Sequence, residues 1–278
     1  MKGEMEADFH SEDALKRIGE ALEAAARALK PFVPGAVKAD FKSGDDPVTE
    51  ADRAVNRVLH ETLLRDGEGW LSEESVDDRS RLGKSRVWIV DPLDGTREFV
   101  SGIPEWCVSI AFVVNGRATA AGITNPATGE TFLGSLGRGI TYNGQIAQAS
   151  RRQRLTGALI LASRSEVKRG EWKHFGEAPF SVQPMGSVAY KLARVAAGLA
   201  DATWTLTPKH EWDVAAGVAL VEAAGGFVST LADGQPRFNN ESALMPGLIA
   251  AGPGLRNDIS LFLRPYLEAA VVNARPDH

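Results

Sequence analysis

Four apolar residues in a row, Val87-Trp88-Ile89-Val90, run directly into Asp91-Pro92-Leu93-Asp94-Gly95-Thr96. A continuous apolar run of this length reads as a buried strand. Pro92 and Gly95 force a turn between the two aspartates and just after them. The strand therefore delivers two carboxylates, three residues apart, to the edge of a sheet, where their oxygens can converge on one point. Oxygen-only convergence suits Mg²⁺, Mn²⁺ or Ca²⁺ and not softer metals. The N–H groups of Gly95 and Thr96 can open a helix, and a helix start with a glycine at its mouth is a ready phosphate cradle. Taken alone, the hexapeptide fits equally well a strand-end aspartate that caps a turn.

Other acidic residues stand at comparable places. Ser72-Glu73-Glu74-Ser75 follows an apolar Trp70-Leu71, and Glu211-Trp212-Asp213 opens a helix rich in alanine and glycine that must pack closely against something. Asp45-Asp46-Pro47-Val48-Thr49 is the remaining one. Each has a plain reading by itself: a solvated turn for Glu73-Glu74, an ordinary N-cap for Asp213. Haloacid-dehalogenase-like phosphatases also put aspartates and Gly-Thr after an apolar strand, as DxDGT. The spacing here is one residue longer, so the alternation of faces differs, and that reading is set aside.

The periodicity gives the organisation. Leu15, Ile18, Leu22, Ala25 and Leu29 mark one face of a helix over Glu12 to Phe32, ended by Pro31 and Pro34. The polar stretch from Lys42 to Pro47 reads as a loop. Thr49 and Asp52 come close to a capping box for a second helix with Ala54, Val55, Val58, Leu59 and Leu63 as its apolar face. Strands over 106–114, 118–125 and 131–136, joined by turns such as Asn115-Gly116 and Asn143-Gly144, form an antiparallel meander with the two helices on one face. Residues 151–156 are polar and basic and suggest a boundary. The expected division is 1–150, a helix pair and sheet carrying most acidic candidates, and 151–278, an α/β unit carrying Asp213. In the second part, helices are expected over 188–200, 213–224 and 260–269, strands over 158–162, 202–206, 227–230 and 247–251, and a mixed or helical stretch over 165–175.

Bulk properties exclude several classes. A formal net charge of −5 and a pI of about 5.6 argue against a nucleic-acid groove or an anionic membrane surface as main partner. The single cysteine, Cys107, allows no internal disulfide, and its apolar neighbours make it a packed core thiol. His10, His60, His174, His210 and His278 show no zinc-ligand spacing. No run approaches the roughly 20 apolar residues of a membrane span, and residues 1–13 lack the apolar core of a leader. A soluble, cytoplasmic protein is expected.

Asp46-Pro-Val-Thr49-Glu-Ala-Asp52, Leu71-Ser-Glu73-Glu74-Ser75, Trp88-Ile-Val-Asp91-Pro-Leu-Asp94-Gly95-Thr96 and Trp212-Asp213-Val-Ala-Ala-Gly217, in this order and at these separations, resemble the inositol monophosphatase superfamily of lithium-sensitive, Mg²⁺-dependent phosphatases. Four ordered motifs together are specific where each alone is weak. The resemblance implies an α/β (α+β) fold, a layered α/β/α/β/α sandwich, often a homodimer. It implies that Glu73 and Asp91, with the carbonyl of Leu93, hold one metal ion, and that Asp91, Asp94 and Asp213 hold a second. Glu73 would help bind a third, giving two or three Mg²⁺, with Mn²⁺ as a substitute. Asp46 and Thr96 would orient and deprotonate the attacking water, and the N–H groups of Gly95 and Thr96 would bind phosphate oxygens.

The substrate is read less directly. Asp94-Gly95-Thr96-Arg97-Glu98-Phe99 resembles the DGTKEF pattern of the 3'(2'),5'-bisphosphate nucleotidases more than the DGTTNF of inositol-specific members. Ser163-Arg164-Ser165 and Gly186-Ser187 resemble segments of that branch, and Gly186-Ser187 can approach a substrate ribose or phosphate or simply start a helix at Val188. Inositol phosphatases of the family carry a glutamate about seven residues before Trp-Asp, where this chain has Thr205-Leu206-Thr207. Lys209 and His210 can supply charge for a second phosphate or can be plain surface. The expected partner is thus a small phosphorylated metabolite, adenosine 3',5'-bisphosphate first, with inositol-1-phosphate as main rival and histidinol phosphate as third. A metal- or nucleotide-binding protein on the same scaffold is the non-enzymatic alternative.

Overall fold

The computed structural model describes residues 2–41 and 47–273, with side chains described over 12–40 and 47–267. Helix α1 (Lys2–Leu29) buries Ile18, Leu22, Ala25 and Leu29, the stripe that the sequence spacing marks. It starts earlier than the apolar periodicity does, because its first turns are charged. Two short strands, β1 (Asp40–Phe41) and β2 (Pro47–Val48), pair antiparallel. Helix α2 (Glu50–Leu63) begins with a full capping box: the Thr49 hydroxyl accepts from Ala51 N, and the Asp52 carboxylate accepts from Thr49 N at 2.7 Å.

A seven-stranded sheet follows in chain order: β3 (Gly69–Ser72), β4 (Arg86–Asp94), β5 (Cys107–Val114), β6 (Arg117–Asn125), β7 (Glu130–Ser135), β8 (Gly139–Tyr142) and β9 (Gln145–Ala147). Helix α3 (Thr96–Val100) sits between β4 and β5. From β4 to β9 the sheet is the expected antiparallel meander, whereas β3 lies parallel to β4 at the edge. Strand β4 alternates as a doubly covered strand must. Val87 and Ile89 face one apolar cluster, and Trp88 and Val90 face the one that holds α1 and α2.

The remaining chain runs β10 (Leu159–Ser163), α4 (Arg164–Arg169), β11 (Ser181–Met185), α5 (Val188–Ala196), β12 (Ala202–Thr205), β13 (Lys209–His210), α6 (Glu211–Ala223), β14 (Phe227–Thr230), β15 (Leu244–Met245), β16 (Leu248–Ala251) and α7 (Arg256–Asn273). Five of these strands form a second sheet in the order β11-β10-β12-β16-β14, and β13 pairs with β15. Strand β11 escapes a sequence reading because Pro184 interrupts it. Its place at the sheet edge is where a proline is tolerated.

Helices α5 and α6 lie between the two sheets. Their apolar residues share one cluster with Val87, Ile89 and Ala111 of the first sheet and with Leu161, Leu248 and Ala250 of the second. Tyr142 and Ala147 of β8 and β9 pack against the same cluster. The outer face of the second sheet packs Ile160, Trp204 and Ile249 against Trp172, Phe175, Ile259 and Leu263. The layers are therefore α/β/α/β/α, as the resemblance implies. The small-residue helix finds its close partner here: a Cβ on Gly217 of α6 would collide with the Leu192 side chain of α5.

One polar tie crosses the outermost helical layer. Arg17 of α1 is almost fully buried. It donates to the Leu63 carbonyl at the end of α2 and to both Glu68 carboxylate oxygens, at 3.0 and 2.6 Å. Its guanidinium lies 4.8 Å from the Trp88 ring centre, and the Trp88 indole N–H donates to Glu68 at 2.8 Å. Burial alone would raise the Glu68 pKa, but these donors outweigh it and the net shift is downward from 4.5. A lowered folded-state pKa contributes stability that is present above the unfolded pKa and lost as pH falls through the folded value. Glu68→Gln should therefore lower unfolding free energy by about 2–4 kcal/mol at pH 7, because it leaves a buried guanidinium short of a partner. In urea titrations at several pH values, that difference should narrow below the ordinary glutamate pKa of 4.5.

Candidate active site

In a regular strand, residues three apart point to opposite faces. Asp91 and Asp94 avoid this because β4 does not stop at Asp91, as the sequence pattern suggests, but continues through a bulge. Asp91 pairs with Ser109 and Asp94 with Cys107, so one extra residue is accommodated and both aspartates fall on one face. Pro92, which has no N–H to give a ladder, sits inside the irregular stretch. The Asp91 carboxylate accepts from Leu93 N at 2.9 Å, which fixes the bend. The face is that of Val87 and Ile89, toward α6, whose first turn carries Asp213.

Among the described residues, Asp91, Asp94 and Asp213 form one group in which one carboxylate oxygen of each lies within 4.8 Å of those of the other two. Asp91 and Asp94 are buried and Asp213 half-buried. Burial and the charges of Glu73, Asp94 and Asp213 push the Asp91 pKa well up. Burial and the charges of Asp94 and Glu73 do the same to Asp213, and burial raises Asp94 against its hydrogen bonds. Three carboxylates, two of them buried, that repel one another and present only oxygen donors fit a hard divalent cation and fit little else. Glu73, after β3, lines the same cleft.

Each carboxylate is aimed by a donor on one oxygen. Asp94 Oδ2 accepts from Ser187 Oγ and from Ala189 N, both at 2.6 Å, and Asp213 Oδ2 accepts from His210 N at 2.9 Å. Ser187 thus emerges as the N-cap of α5, its hydroxyl also accepting from Tyr190 N at 3.0 Å. It holds this place with a positive φ of 55°. Cys107 is buried, as the sequence implies. Its thiol lies 3.4 Å from Ser187 Oγ, and burial pushes its pKa well up, which removes it as a nucleophile.

Gly95 is required where it stands. Its φ is 98°, and an added Cβ would lie 2.9 Å from the Glu105 carbonyl. It opens the short helix α3, where the Thr96 hydroxyl lies 2.9 Å from both Asp52 Oδ1 and the Leu93 carbonyl. Asp52 is the residue that a sequence reading misses. Its capping box with Thr49 is visible in the pattern, but one oxygen completes that box while the other reaches a threonine 44 positions away. Asp46 lies outside the described residues.

Asp91, Asp94, Gly95, Thr96, Ser187 and Asp213 line a cleft of about 270 Å³ with Glu73, Arg164, Lys191 and Lys209 on its walls. Gly186 lines it too, and its N–H donates to Glu105 at 2.7 Å. Glu105 also holds Arg164 through contacts of 2.6–3.0 Å. Lys191 is 3% exposed and donates to the Ser187 carbonyl at 2.8 Å. Lys209 is held by the buried Glu166 at 3.1 Å, which also accepts from Thr205 and Thr207 hydroxyls at 2.6 and 3.0 Å. His210 stacks on Trp212 with ring centres 4.5 Å apart. Leu206, between Thr205 and Thr207, packs against the apolar cluster under the second sheet.

Residues 5–261 match the model of the inositol monophosphatase family. The chain belongs to that family. An inositol-1-monophosphatase of Rhizobium meliloti is 35% identical over 207 residues, 71% of this chain and 77% of the relative. The solved structure of an inositol monophosphatase from Anabaena superposes with a TM-score of 0.74 at 28% identity, covering 91% of this chain and 96% of that one. CysQ from Bacteroides thetaiotaomicron, a bacterial member of the family, gives a TM-score of 0.74 at 27% identity over 87% and 98% of the two chains. This chain is accordingly a phosphoric monoester hydrolase of a Mg²⁺-dependent family, and its substrates are small phosphorylated molecules. No described helix is long and apolar enough to cross a membrane.

Ser187→Ala in this inositol monophosphatase-family chain should remove both the α5 cap and a hydrogen bond to Asp94. A loss of about 1–2 kcal/mol in urea unfolding is expected. Ser187→Gly should lose less, since glycine accepts the positive φ without strain.

Proposed function

We propose that the cleft hydrolyses adenosine 3',5'-bisphosphate, with Asp91, Asp94 and Asp213, joined by Glu73 and the Leu93 carbonyl, holding two or three Mg²⁺ ions. The observation that carries the hydrolytic part is the convergence of three carboxylates, two of them buried, with one oxygen of each within 4.8 Å of the others, beside Gly95 and Thr96. Bound there, divalent cations would supply a lowered pKa to a water molecule and offset negative charge on the leaving oxygen. The protein's own groups do the positioning. With its proton directed to Asp52 Oδ1, the Thr96 hydroxyl keeps lone pairs to accept a hydrogen bond from the attacking water. Asp46, on the resemblance, shares in taking that proton. The N–H groups of Gly95 and Thr96 receive phosphate oxygens, and Glu98 and Gly186 shape the wall behind them.

Two features support a bisphosphate over a polyol phosphate. Thr205-Leu206-Thr207 supplies no carboxylate around the place where, on the resemblance, inositol-specific members hold ring hydroxyls, which weakens a polyol reading without excluding it. Lys191, Lys209 and Arg164 stand on the walls for a second anionic group. In this reading Gly186 lets the substrate approach the backbone, while Ser187 acts through Asp94. A second reading, inositol-1-phosphate hydrolysis, is favoured by the Rhizobium relative's name. A homodimer remains part of the proposal on the resemblance alone.

A kcat/KM panel of adenosine 3',5'-bisphosphate, inositol-1-phosphate, histidinol phosphate and fructose-1,6-bisphosphate separates these readings. The first should lead, and a preference above tenfold for inositol-1-phosphate would overturn the choice. EDTA should abolish turnover and Mg²⁺ restore it. Asp94→Asn should cut kcat by roughly 100-fold or more, since even outer residues of metal sites cost 10–100-fold. The same variant should raise the Tm in EDTA, because one of the mutually repelling carboxylates becomes neutral.

A further inference from the structure

The segment that follows Glu73 and the helix that carries Asp213 are joined through a third piece of chain. Arg81, in the stretch between β3 and β4, has a side chain with 0% exposure. Its Nε and Nη2 donate to Asp77 at 3.1 and 2.8 Å, and its Nη1 donates to Asn239 Oδ1 at 2.8 Å and to the Asn240 carbonyl at 2.9 Å. The Asn239 amide donates back to the Arg81 carbonyl at 3.2 Å. From the other side, Glu211, the first residue of α6 and also fully buried, takes the same two asparagines. One of its oxygens accepts from Asn239 N at 2.7 Å, and the other accepts from Asn240 N at 3.0 Å and Asn240 Nδ2 at 2.7 Å. Asn239 adopts a φ of 63° between them.

Arg81 has Asp77 as its counter-charge, but the buried Glu211 carboxylate is held by the N–H donors of Asn239 and Asn240, a costly arrangement if stability is the only gain. Their locations suggest another gain. Glu211 stands two residues before Asp213, and Arg81 eight residues after Glu73. Glu73, Asp91 and Asp213 carry like charge in one cleft, and their repulsion tends to part the turn after β3 from the start of α6. We propose that Arg81, Asn239, Asn240 and Glu211 form a latch of positioning residues that ties the chain following Glu73 to the start of α6, and so keeps Asp213 in the carboxylate cluster beside Glu73 before a cation arrives. The latch rests on the metal-dependent reading above. It acts on affinity for the ion, because ligands held in place need no ordering when it binds.

The test is Mn²⁺ binding to the full chain without substrate, by calorimetry, alongside Tm in EDTA. Glu211→Gln places an amide N–H against the donor of Asn239 or those of Asn240, whichever way the amide turns. Asn239→Gly keeps the left-handed backbone and removes only the side chain that Arg81 holds. Both variants should bind Mn²⁺ at least fivefold more weakly than the parent. In turnover assays the Mg²⁺ half-saturation should rise by a similar factor, with kcat at saturating Mg²⁺ falling by less. If Asn239→Gly binds Mn²⁺ as the parent does while its Tm drops, the latch is purely structural and the proposal falls. If the parent itself binds no Mn²⁺, the metal-dependent reading falls with it, and that result is distinct because it appears before any variant is made. A variant with unchanged half-saturation and a kcat reduced at every Mg²⁺ concentration also overturns the proposal.

Discussion

Mutual repulsion among Asp91, Asp94 and Asp213 is the constraint around which the rest of the structure is arranged. Like charges that close, with two of the three carboxylates buried, raise each other's pKa and oppose folding. The protein offsets part of this with donors placed on one oxygen of each group: Leu93 N for Asp91, Ser187 and Ala189 for Asp94, His210 N for Asp213. The second oxygen of each remains for the cleft. Such a site is a local loss of stability that the surrounding layers must exceed, which is the usual relation between a functional cluster and its scaffold. The buried tie of Arg17, Glu68 and Trp88 lies on the far side of the same sheet.

The five layers explain how residues so distant in sequence meet. Strand β4 is covered on both faces and ends at the cleft, so its bulge decides which way the aspartates point. Helices α5 and α6 lie between the sheets and start at the same cleft. Their contact at Gly217 and Leu192 brings the two helices close together, and their first turns supply Ser187 and Asp213. Both helix starts place N–H groups near negative charge, which favours the carboxylates electrostatically. Sequence → bulge → face → cleft is thus one continuous chain of causes.

Much of this is legible without coordinates, and the reasons for the rest are physical. The apolar run before Asp91 marks β4, and the spacing of Ile18, Leu22 and Leu29 marks α1, because burial of one face leaves a period in the residues. The alanine-rich segment after Asp213 shows that it must pack tightly, though not that Leu192 is the partner. The bulge leaves no such period, so the strand seems to end three residues early. Strand β3 is only four residues long and β11 contains Pro184, so neither shows a usable pattern. Asp52 looks like a helix cap because it is one, and only folding reveals that its other oxygen reaches Thr96. Arg81 and Asn239 are 158 positions apart, and nothing local to either names the other.

The cleft wall opposite the carboxylates shows a second kind of economy. Arg164 is matched by Glu105 and Lys209 by Glu166, while Lys191 is turned onto backbone carbonyls. Burial lowers the Lys191 pKa, partly countered by Asp94 and Glu166. A wall of matched cations attracts a phosphate less by net charge than by presenting N–H donors in fixed positions, since each side chain is already ordered before substrate arrives. Discrimination then follows from which donors a substrate can satisfy at once. A ligand that reaches Lys209 must share it with Glu166 and Thr207, and so must compete with a buried carboxylate.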